Sequence, residues 1–471
     1  MSSDLLLTSA SPPRARAQIA LLLGGFITIF DLFVVNVAIP AIRTDLNASL
    51  SDIAFVVAGY ELSFGVLLIA GSRLGDRYGR RKVFMLGMLG FTLASILCGL
   101  ATSASMLILA RLVQGAAAGM LFPQVYTMLR VLYDENGRRR AFGFLGMTLG
   151  FAAIAGQVLG GWIVTADFAG LGWRSVFLIN LPVGVIGLAC AATIVETFSE
   201  DGSRIDKLGT LLASGTLLLV LFPLLEGAKF GWPLWIWACF MAAILLAVLF
   251  VAWERKLRES GGAPAVDLEL FSNPAFSAGS LVVLLVYSTS TSFFLCFALL
   301  VQTGFGLSAF DAGTLFAPAS VAFVAASLIA PRLVAKFGDR LLAVGALIYA
   351  LGTGWVIAIA VSLTSADEAH RLLPALILFG FGQGLSMTPL LNFVSGLVPA
   401  RQAGMAGGII STMQQIGGAF GVALVSILFG ELLGGGEALA YTAAFAGALA
   451  YNIVALVIVA GVLISLARRA N

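Results

Sequence analysis

Long apolar stretches recur along the whole chain, and short segments rich in charged and turn-forming residues separate them. A helix of about 20 apolar residues crosses the roughly 30 Å hydrocarbon core of a bilayer. The pattern therefore predicts fourteen membrane-spanning helices. They lie near residues 17–42, 53–72, 82–102, 105–131, 142–165, 174–196, 207–226, 233–254, 275–303, 311–333, 340–363, 371–396, 402–432 and 439–467.

Composition agrees with this pattern, since 60% of the 471 residues are hydrophobic and 11% are charged. Such a composition is typical of an integral membrane protein, so membrane lipid is the expected surrounding. The formal net charge of +3 is spread over many short loops and gives no indication of nucleic-acid binding. The four cysteines lie in apolar stretches without metal-ligand spacing, which favours the interpretation that they are small buried side chains.

The basic residues predict how the helices are oriented. With the first residues inside the cell, about 22 of the 27 Lys and Arg fall on cytoplasmic segments, as the positive-inside rule requires. We therefore expect a multi-pass protein of the bacterial cell (inner) membrane. Both termini are expected in the cytoplasm, with tails at residues 1–16 and 468–471.

Three segments of the chain repeat in the same order. The stretch "GSRLGDRYGRR" at residues 71–81 aligns with "APRLVAKFGDR" at 330–340, and a second alignment places Gly156 on Gly417 and Gly160 on Gly421. The third match is a proline near the end of the fourth helix in each six-helix set. The repeats predict two homologous six-helix bundles, an arrangement found in many secondary transporters. The predicted segments are the bundles at 17–196 and 275–467, an inserted helix pair within 197–254, and a cytoplasmic linker at 255–274.

Several motifs occur on the helices and loops of the first predicted bundle. The stretch "DLFVVNVAIP" begins at Asp31, and "GWRSVFLINLPVG" begins at Gly172. The fourth helix has Arg111, Gln114 and Gly115, and the fifth has Gly156, Gln157, Gly160 and Gly161. The loop after the second helix contains Gly71, Gly75, Asp76, Arg77, Gly79, Arg80 and Arg81.

In their order and positions these motifs resemble those of the major facilitator superfamily, and within it the fourteen-helix drug:proton antiporter family. The resemblance implies an all-α membrane fold of two six-helix bundles plus two inserted helices. It also implies export of drugs driven by a proton gradient, without a cofactor. The motif of the fifth helix usually has a proline where this chain has Gln157, so an expected kink is missing and Gln157 becomes a candidate for the cavity wall.

Three ionisable residues lie within predicted spans, where an unpaired charge is costly. Counted from the predicted outer helix ends, Asp31 is about 16 Å deep, Glu61 about 12 Å and Arg111 about 9 Å. We predict that they meet in one layer and couple transport to protons. Two alternatives remain open, namely that Arg111 reaches the membrane interface and that Glu61 only forms a structural ion pair with Arg111.

The loop motif also has two interpretations. Asp76 is expected to bind backbone amides at a helix start or to pair with an arginine, and such a contact could hold the two bundles together on the cytoplasmic side. In the alternative, the loop is a turn whose arginines only enforce topology. The second copy has Ala335 in place of Asp76, so a contact of this kind would be present in one bundle and not in the other.

Aromatic, amide and methionine side chains on the expected cavity helices are candidates for binding substrate, although ordinary packing is the alternative for each. These candidates are Tyr60, Tyr287, Phe294, Met387, Asn392, Met413, Gln414 and Gln415. The expected function is a monomeric proton-coupled antiporter that exports lipophilic, cationic compounds. Alternatives are export of one dedicated metabolite or lipid, a transporter-like sensor, or a membrane enzyme. The sequence has no phosphate-binding GxxxxGK[ST] loop, which argues against a primary pump.

Overall fold

The computed structural model describes residues 12–198, 206–262, 264–399, 402–433 and 438–469, and these residues are almost entirely helical. Fourteen of their helical segments are long and apolar enough to cross a membrane, which confirms the predicted number. The first bundle and the insertion contain α1 (Pro12–Asp45), α2 (Leu50–Tyr78), α3 (Arg80–Gly99), α4 (Ala104–Leu132), α5 (Glu135–Ala166), α6 (Ser175–Leu178), α7 (Asn180–Ala191), α8 (Lys207–Phe230) and α9 (Leu234–Glu259). The second bundle contains α10 (Pro274–Ala298), α11 (Ala309–Phe337), α12 (Arg340–Ser362), α13 (Leu373–Gly396), α14 (Ala403–Leu432) and α15 (Ala438–Arg469).

Several helices extend beyond their predicted ends. Helix α1 begins at Pro12, inside the segment predicted to be a tail, and residues 1–11 of that tail lie outside the described residues. Helix α5 begins seven residues before the predicted position, because Asp134 caps it by accepting a 3.0 Å hydrogen bond from the Gly137 amide. Likewise α9 continues to Glu259, and a short 3₁₀ helix at Leu268–Ser272 lies in the predicted linker.

The sixth predicted span differs most from the structure. It is divided into α6 and α7, since Pro182 has no N–H to donate to the Leu178 carbonyl. Helix α7 also ends at Ala191, whereas the prediction continued to residue 196. The chain leaves the helix there and brings Glu196 to the start of α3, where its carboxylate accepts from the amides of Arg81 and Lys82.

The two bundles have the same internal arrangement. In the first, α4 packs on α2 and α3, α1 packs on α5 and α7, and α3 packs on α7. In the second, α13 packs on α11 and α12, α10 packs on α14 and α15, and α12 packs on α15. Glycines of the repeat allow equivalent close contacts: a Cβ on Gly156 would lie 3.0 Å from the Phe30 carbonyl oxygen, and one on Gly417 would lie 2.3 Å from that of Leu284.

The bundles meet along two helix pairs, α2 with α14 and α5 with α11, which we call the seam. We call the face where α1 begins and α15 ends the terminus face. Away from this face the seam is tightly closed, since a Cβ on Gly161 would lie 2.3 Å from the Ala309 carbonyl oxygen. Towards the terminus face, a Cβ on Gly146 of α5 or on Gly407 of α14 would meet nothing within 4 Å, so open space adjoins both helices there. We infer that this space is a cleft between the bundles that opens at the terminus face.

The inserted helices lie outside the two bundles. Helix α8 packs on both α2 and α14, so it covers the seam from the outside. The rings of Phe55 on α2 and Phe222 on α8 lie 5.8 Å apart in this contact. Helix α9 packs on α8 and exposes large apolar side chains such as Met241 and Ile244, as expected for a surface in contact with lipid.

Candidate functional site

A buried ion pair joins α1 and α4 in the first bundle. Asp31 and Arg111 form a direct salt bridge, and their exposed fractions are 0% and 1%. The Arg111 Nε atom also donates to the Val56 carbonyl oxygen on α2 at 3.1 Å. Arg111 thus lies inside the bundle, and the structure excludes the alternative that it reaches the membrane interface.

Uncharged side chains complete the coordination of this ion pair. Gln114 accepts from the Arg111 guanidinium at 2.7 Å and donates through Nε2 to Asp31 Oδ1 at 2.8 Å. Asn180, at the start of α7, donates to the same Asp31 oxygen at 2.9 Å. Both amides also donate to Ser95 Oγ on α3. These five residues, which we call the charged cluster, connect α1, α3, α4 and α7.

Asn180 and Ser95 were not among the predicted site residues. Asn180 lies within "GWRSVFLINLPVG", and an amide in such an apolar stretch was the available signal. Ser95 gave no comparable signal, because serine is common in helices and often bonds to its own helix backbone.

Tyr60, predicted to contact substrate, belongs instead to the packing around the charged cluster. It is completely buried, its ring lies 4.2 Å below the Arg111 guanidinium carbon, and its hydroxyl donates to the Thr28 carbonyl oxygen. A cation over an aromatic face in a dry site is stabilised by about 2 kcal/mol. Tyr60 therefore supports Arg111 and does not line the cleft.

Glu61, the next residue, points to the seam. Its Oε1 accepts from Thr291 Oγ1 on α10 at 3.3 Å, and its Oε2 has no hydrogen-bond partner. A Cβ on Gly418 of α14 would lie 2.2 Å from this Oε2, so the absence of a side chain there makes room for the carboxyl group. Glu61 is 2% exposed. The structure thus brings Asp31 and Arg111 together and leaves Glu61 outside their hydrogen bonds.

The loop motif between α2 and α3 is connected within the first bundle. Asp76 pairs with Arg80 at 2.8 Å, one helical turn along the chain, so this contact does not hold the two bundles together in this conformation. The start of α3 is capped by Glu196 and not by Asp76. Gly79 is required for this contact, because its φ is +105° and a Cβ would lie 2.6 Å from the Glu196 carboxyl carbon. Arg77 is exposed in the last turn of α2, and Arg81 lies near Glu196.

Glycines of the motifs on α2, α4 and α5 allow close packing. A Cβ on Gly71 would lie 2.1 Å from the Gly119 carbonyl oxygen, and one on Gly115 would lie 2.2 Å from that of Tyr60. Gly75 contacts the Gln124 amide, and Gly160 contacts Val34. Gln157 is buried at 3% exposed with its Nε2 unbonded, so the prediction that it lines an accessible cavity does not hold in this conformation.

The other predicted substrate contacts are divided between the seam and the interior of the second bundle. Phe294 on α10 lies between the two bundles, where its ring meets that of Phe33 on α1 at 5.2 Å. Gln415 packs on Gly65 across the seam, and Tyr287 hydrogen bonds to Gln414. Met387 is buried in the core of the second bundle, Asn392 is exposed and Met413 is partly buried.

A second polar cluster, which the sequence analysis did not predict, lies in the second bundle. Gln383 on α13 donates to Ser290 Oγ on α10 at 2.8 Å and to the Tyr349 hydroxyl on α12 at 3.4 Å. Asn452 on α15 donates to the Thr289 carbonyl oxygen at 2.8 Å. These residues, which we call the neutral cluster, occupy the helices equivalent to those of the charged cluster.

Comparisons with known proteins agree with this architecture. A family model described as Major Facilitator Superfamily matches residues 21–207 and 188–422. The probable actinorhodin transporter of Streptomyces coelicolor is 36% identical over 438 residues, which cover 91% of this chain and 75% of that protein. Drug efflux pump JefA of Mycobacterium tuberculosis is 33% identical over 432 residues, covering 90% and 82%.

Solved structures show the same fold. A bacterial homologue of the human lysosomal transporter Spinster, solved in an inward-facing and unoccupied conformation, superposes with a TM-score of 0.71 at 19% identity and covers 98% of both chains. Together with the family match and the relatives above 30% identity, this shows that the chain belongs to the Major Facilitator Superfamily and is a membrane transporter, not an enzyme.

Proposed function

We propose that this chain is a proton-coupled antiporter that exports lipophilic, cationic compounds from a bacterial cell by alternating access. The terminus face is then cytoplasmic, as the distribution of basic residues favours, and the cleft in this conformation opens to the cytoplasm. The names of the relatives, a probable actinorhodin transporter and a drug efflux pump, support export of drug-like compounds.

The surroundings of Glu61 are the observation that supports the proposed coupling to protons. It is a buried carboxyl group at the seam with one hydroxyl donor and an unbonded oxygen. A buried carboxylate without a cation partner is strongly destabilised, so a proton on Glu61 favours the closed seam around it. When α2 and α14 separate, water reaches this carboxyl group and the charged form becomes stable.

Asp31, in contrast to Glu61, belongs to the charged cluster. Its carboxylate is paired with Arg111 and accepts from Gln114 and Asn180 as well. These contacts hold the carboxylate and the guanidinium in one arrangement, so Asp31 fixes Arg111 in place. We therefore assign the transported proton to Glu61 and a positioning role to Asp31.

Exchange follows if a cationic substrate and a proton favour different states of Glu61. In the cycle we propose, a cationic substrate from the cytoplasm enters the cleft and favours the charged form of Glu61, whose proton is released to the cytoplasm. The bundles then rock, the substrate leaves outside, and a proton from outside neutralises Glu61 and favours closure there. Aromatic contacts such as Phe33 with Phe294 and the adaptable amide of Gln414 suit lipophilic ligands of varied shape.

Export of a single dedicated compound is a second candidate. The relatives include proteins named for one compound, among them the cephamycin export protein of Amycolatopsis lactamdurans, 35% identical over 98% of this chain. A panel of cationic, neutral and anionic compounds tested with the wild-type protein in liposomes separates this candidate from broad drug export.

The coupling proposal is tested by Glu61→Gln in liposomes with an imposed pH gradient. The variant keeps the shape of the side chain and cannot release a proton. We expect it to fold, to exchange substrate down its concentration gradient, and to lose accumulation driven by the pH gradient. Glu431→Gln, an exposed glutamate at the far end of α14, is the matched control and should behave as wild type.

Two results would contradict the proposal. One is pH-driven accumulation by Glu61→Gln equal to that of the wild type. The other is wild-type accumulation that requires a sodium gradient and ignores the pH gradient.

A further inference from the structure

Two buried carboxyl groups face each other where the inserted helices meet on the terminus side. Asp206 precedes α8 and Glu254 lies near the end of α9, and they are 6% and 1% exposed. Asp206 Oδ2 and Glu254 Oε1 both lie within 2.2 Å of the point that a Cβ on Gly209 would occupy. Neither oxygen has a hydrogen-bond partner. Two hydrogen-bond acceptors thus lie close together beside Gly209, with no donor between them.

The remaining oxygens of the two groups have different surroundings. Asp206 Oδ1 accepts from the Gly209 amide at 2.8 Å and from Trp253 Nε1 at 2.9 Å. Asp206 also lies at the start of α8, where the helix dipole stabilises a negative charge. Glu254 Oε2 has a single, longer bond of 3.2 Å from the Val266 amide. The Asp206 carboxylate therefore accepts more hydrogen bonds than that of Glu254.

We propose that Asp206 and Glu254 form a proton-binding site, in which a proton on Glu254 Oε1 donates to Asp206 Oδ2. This site, the acid pair, is separate from Glu61 and is not needed for the function proposed above. The proton supplies the missing donor and leaves one negative charge in place of two.

The charge that remains has a cation nearby. Arg73 on α2 donates to the Pro264 carbonyl oxygen in the linker, and burial lowers the pKa of its guanidinium while the charges of Glu254, Asp206 and Asp76 act to raise it. One Arg73 balances one carboxylate but not two. The other charged groups around Glu254, which line an adjoining cavity with it, are Arg255, Arg258 and Glu269. Arg258 and Glu269 are paired with each other.

The proton therefore connects three segments of the protein. It joins the start of α8 to the end of α9, while Glu254 holds the linker through Val266 and Arg73 holds it through Pro264. Loss of the proton places two anions side by side in a buried site. We expect this junction to loosen as the pH on the terminus face rises, and the insertion to dock less firmly on the first bundle.

Infrared difference spectroscopy of the purified protein tests the site without any transport measurement. The starting protein is Glu61→Gln, which removes the contribution of that carboxyl group. We expect the carbonyl stretch of a protonated carboxyl group at neutral pH, its loss at alkaline pH, and its absence at neutral and alkaline pH in Glu61→Gln/Glu254→Gln. Gly209→Ala should remove the band as well, because its Cβ separates the two groups, whereas Gly215→Ala, which meets only the Leu246 side chain, should keep it.

Stability measurements give a second readout. The melting temperature of the wild type should fall as the pH rises from about 4.3, the ordinary pKa of a glutamate, to the alkaline pH at which the band is lost, and that of Glu254→Gln should fall less, because the amide donates to Asp206 at every pH. A band unchanged by Glu254→Gln, or no such band in the starting protein, would overturn the proposal. So would loss of the band with added Na⁺ or Mg²⁺ at constant ionic strength, since the pair would then bind a metal cation.

Discussion

The two bundles use the same four helix positions for a buried polar cluster but fill them with different chemistry. In the first bundle, Asp31 and Arg111 form an ion pair around which amides and a hydroxyl are arranged. In the second, Gln383, Ser290 and Tyr349 make uncharged hydrogen bonds on the equivalent helices. Both clusters connect helices that a purely apolar interior would leave free to slide, since apolar contacts have no preferred direction.

The difference between the clusters concerns what happens when a partner is lost. Removal of one partner of a buried ion pair leaves an uncompensated charge, whereas removal of one partner of a neutral bond leaves an unpaired dipole. In the first bundle, loss of either partner of the ion pair therefore removes the whole stabilising interaction. The second has a set of bonds that can be lost one at a time.

The largest expected effect comes from Arg111→Met. This change leaves Asp31 charged and buried without a cation, and we expect a loss of about 3–5 kcal/mol in the free energy of unfolding. Chemical denaturation in detergent measures it, with Gln383→Met in the second bundle as the matched change of smaller effect. Asp31→Asn/Arg111→Gln, which removes both charges, should recover much of the loss; a double variant as unstable as Arg111→Met would contradict the ion-pair account.

An intermediate effect is expected for Gln114→Leu. Gln114 donates to a charged carboxylate, and hydrogen bonds to charged groups contribute about 1.5–3 kcal/mol, against about 1 kcal/mol for neutral ones. Gln383→Leu should therefore destabilise the protein less than Gln114→Leu. Equal melting temperatures for the two variants would show that charge does not distinguish the clusters.

The smallest expected difference is between Ser95→Ala and Ser290→Ala. Ser95 Oγ accepts from both Gln114 and Asn180, while Ser290 Oγ accepts from Gln383. Each lost bond costs about 1 kcal/mol, so Ser95→Ala should have the larger effect by roughly that amount. The same unfolding assay measures both variants, and equal losses of stability would mean that the Asn180 bond contributes nothing.

The sequence predicts the charged cluster better than the neutral one, for a physical reason. A charge in an apolar helix stands out because burial requires a partner, so Asp31 and Arg111 could be recognised in the sequence and placed in one layer by their depths. Gln383 and Asn452 carry no charge, and an isolated amide in a helix has too many possible roles. Their partners became evident only once helix packing was known.

The direction in which a side chain points around its helix was the second feature that the sequence could not predict. Tyr60 and Glu61 are adjacent and have the same depth within a residue, yet Tyr60 contacts Arg111 and Glu61 contacts Thr291 of the other bundle. Successive residues of a helix point about 100° apart, and which one faces the seam depends on how the bundles meet. Depth could therefore predict a shared layer for Glu61 and Arg111 but not their separation.

The glycine contacts of the seam have a mechanical consequence. At Gly161 and Gly313 the backbones of α5 and α11 approach each other with no side chains between them, close to one end of helices that are 32 and 29 residues long. A small change of the angle between the helices at this contact produces a large displacement at their opposite ends. Because no interdigitating side chains must be withdrawn, the two bundles can tilt at this point with little rearrangement of either interior.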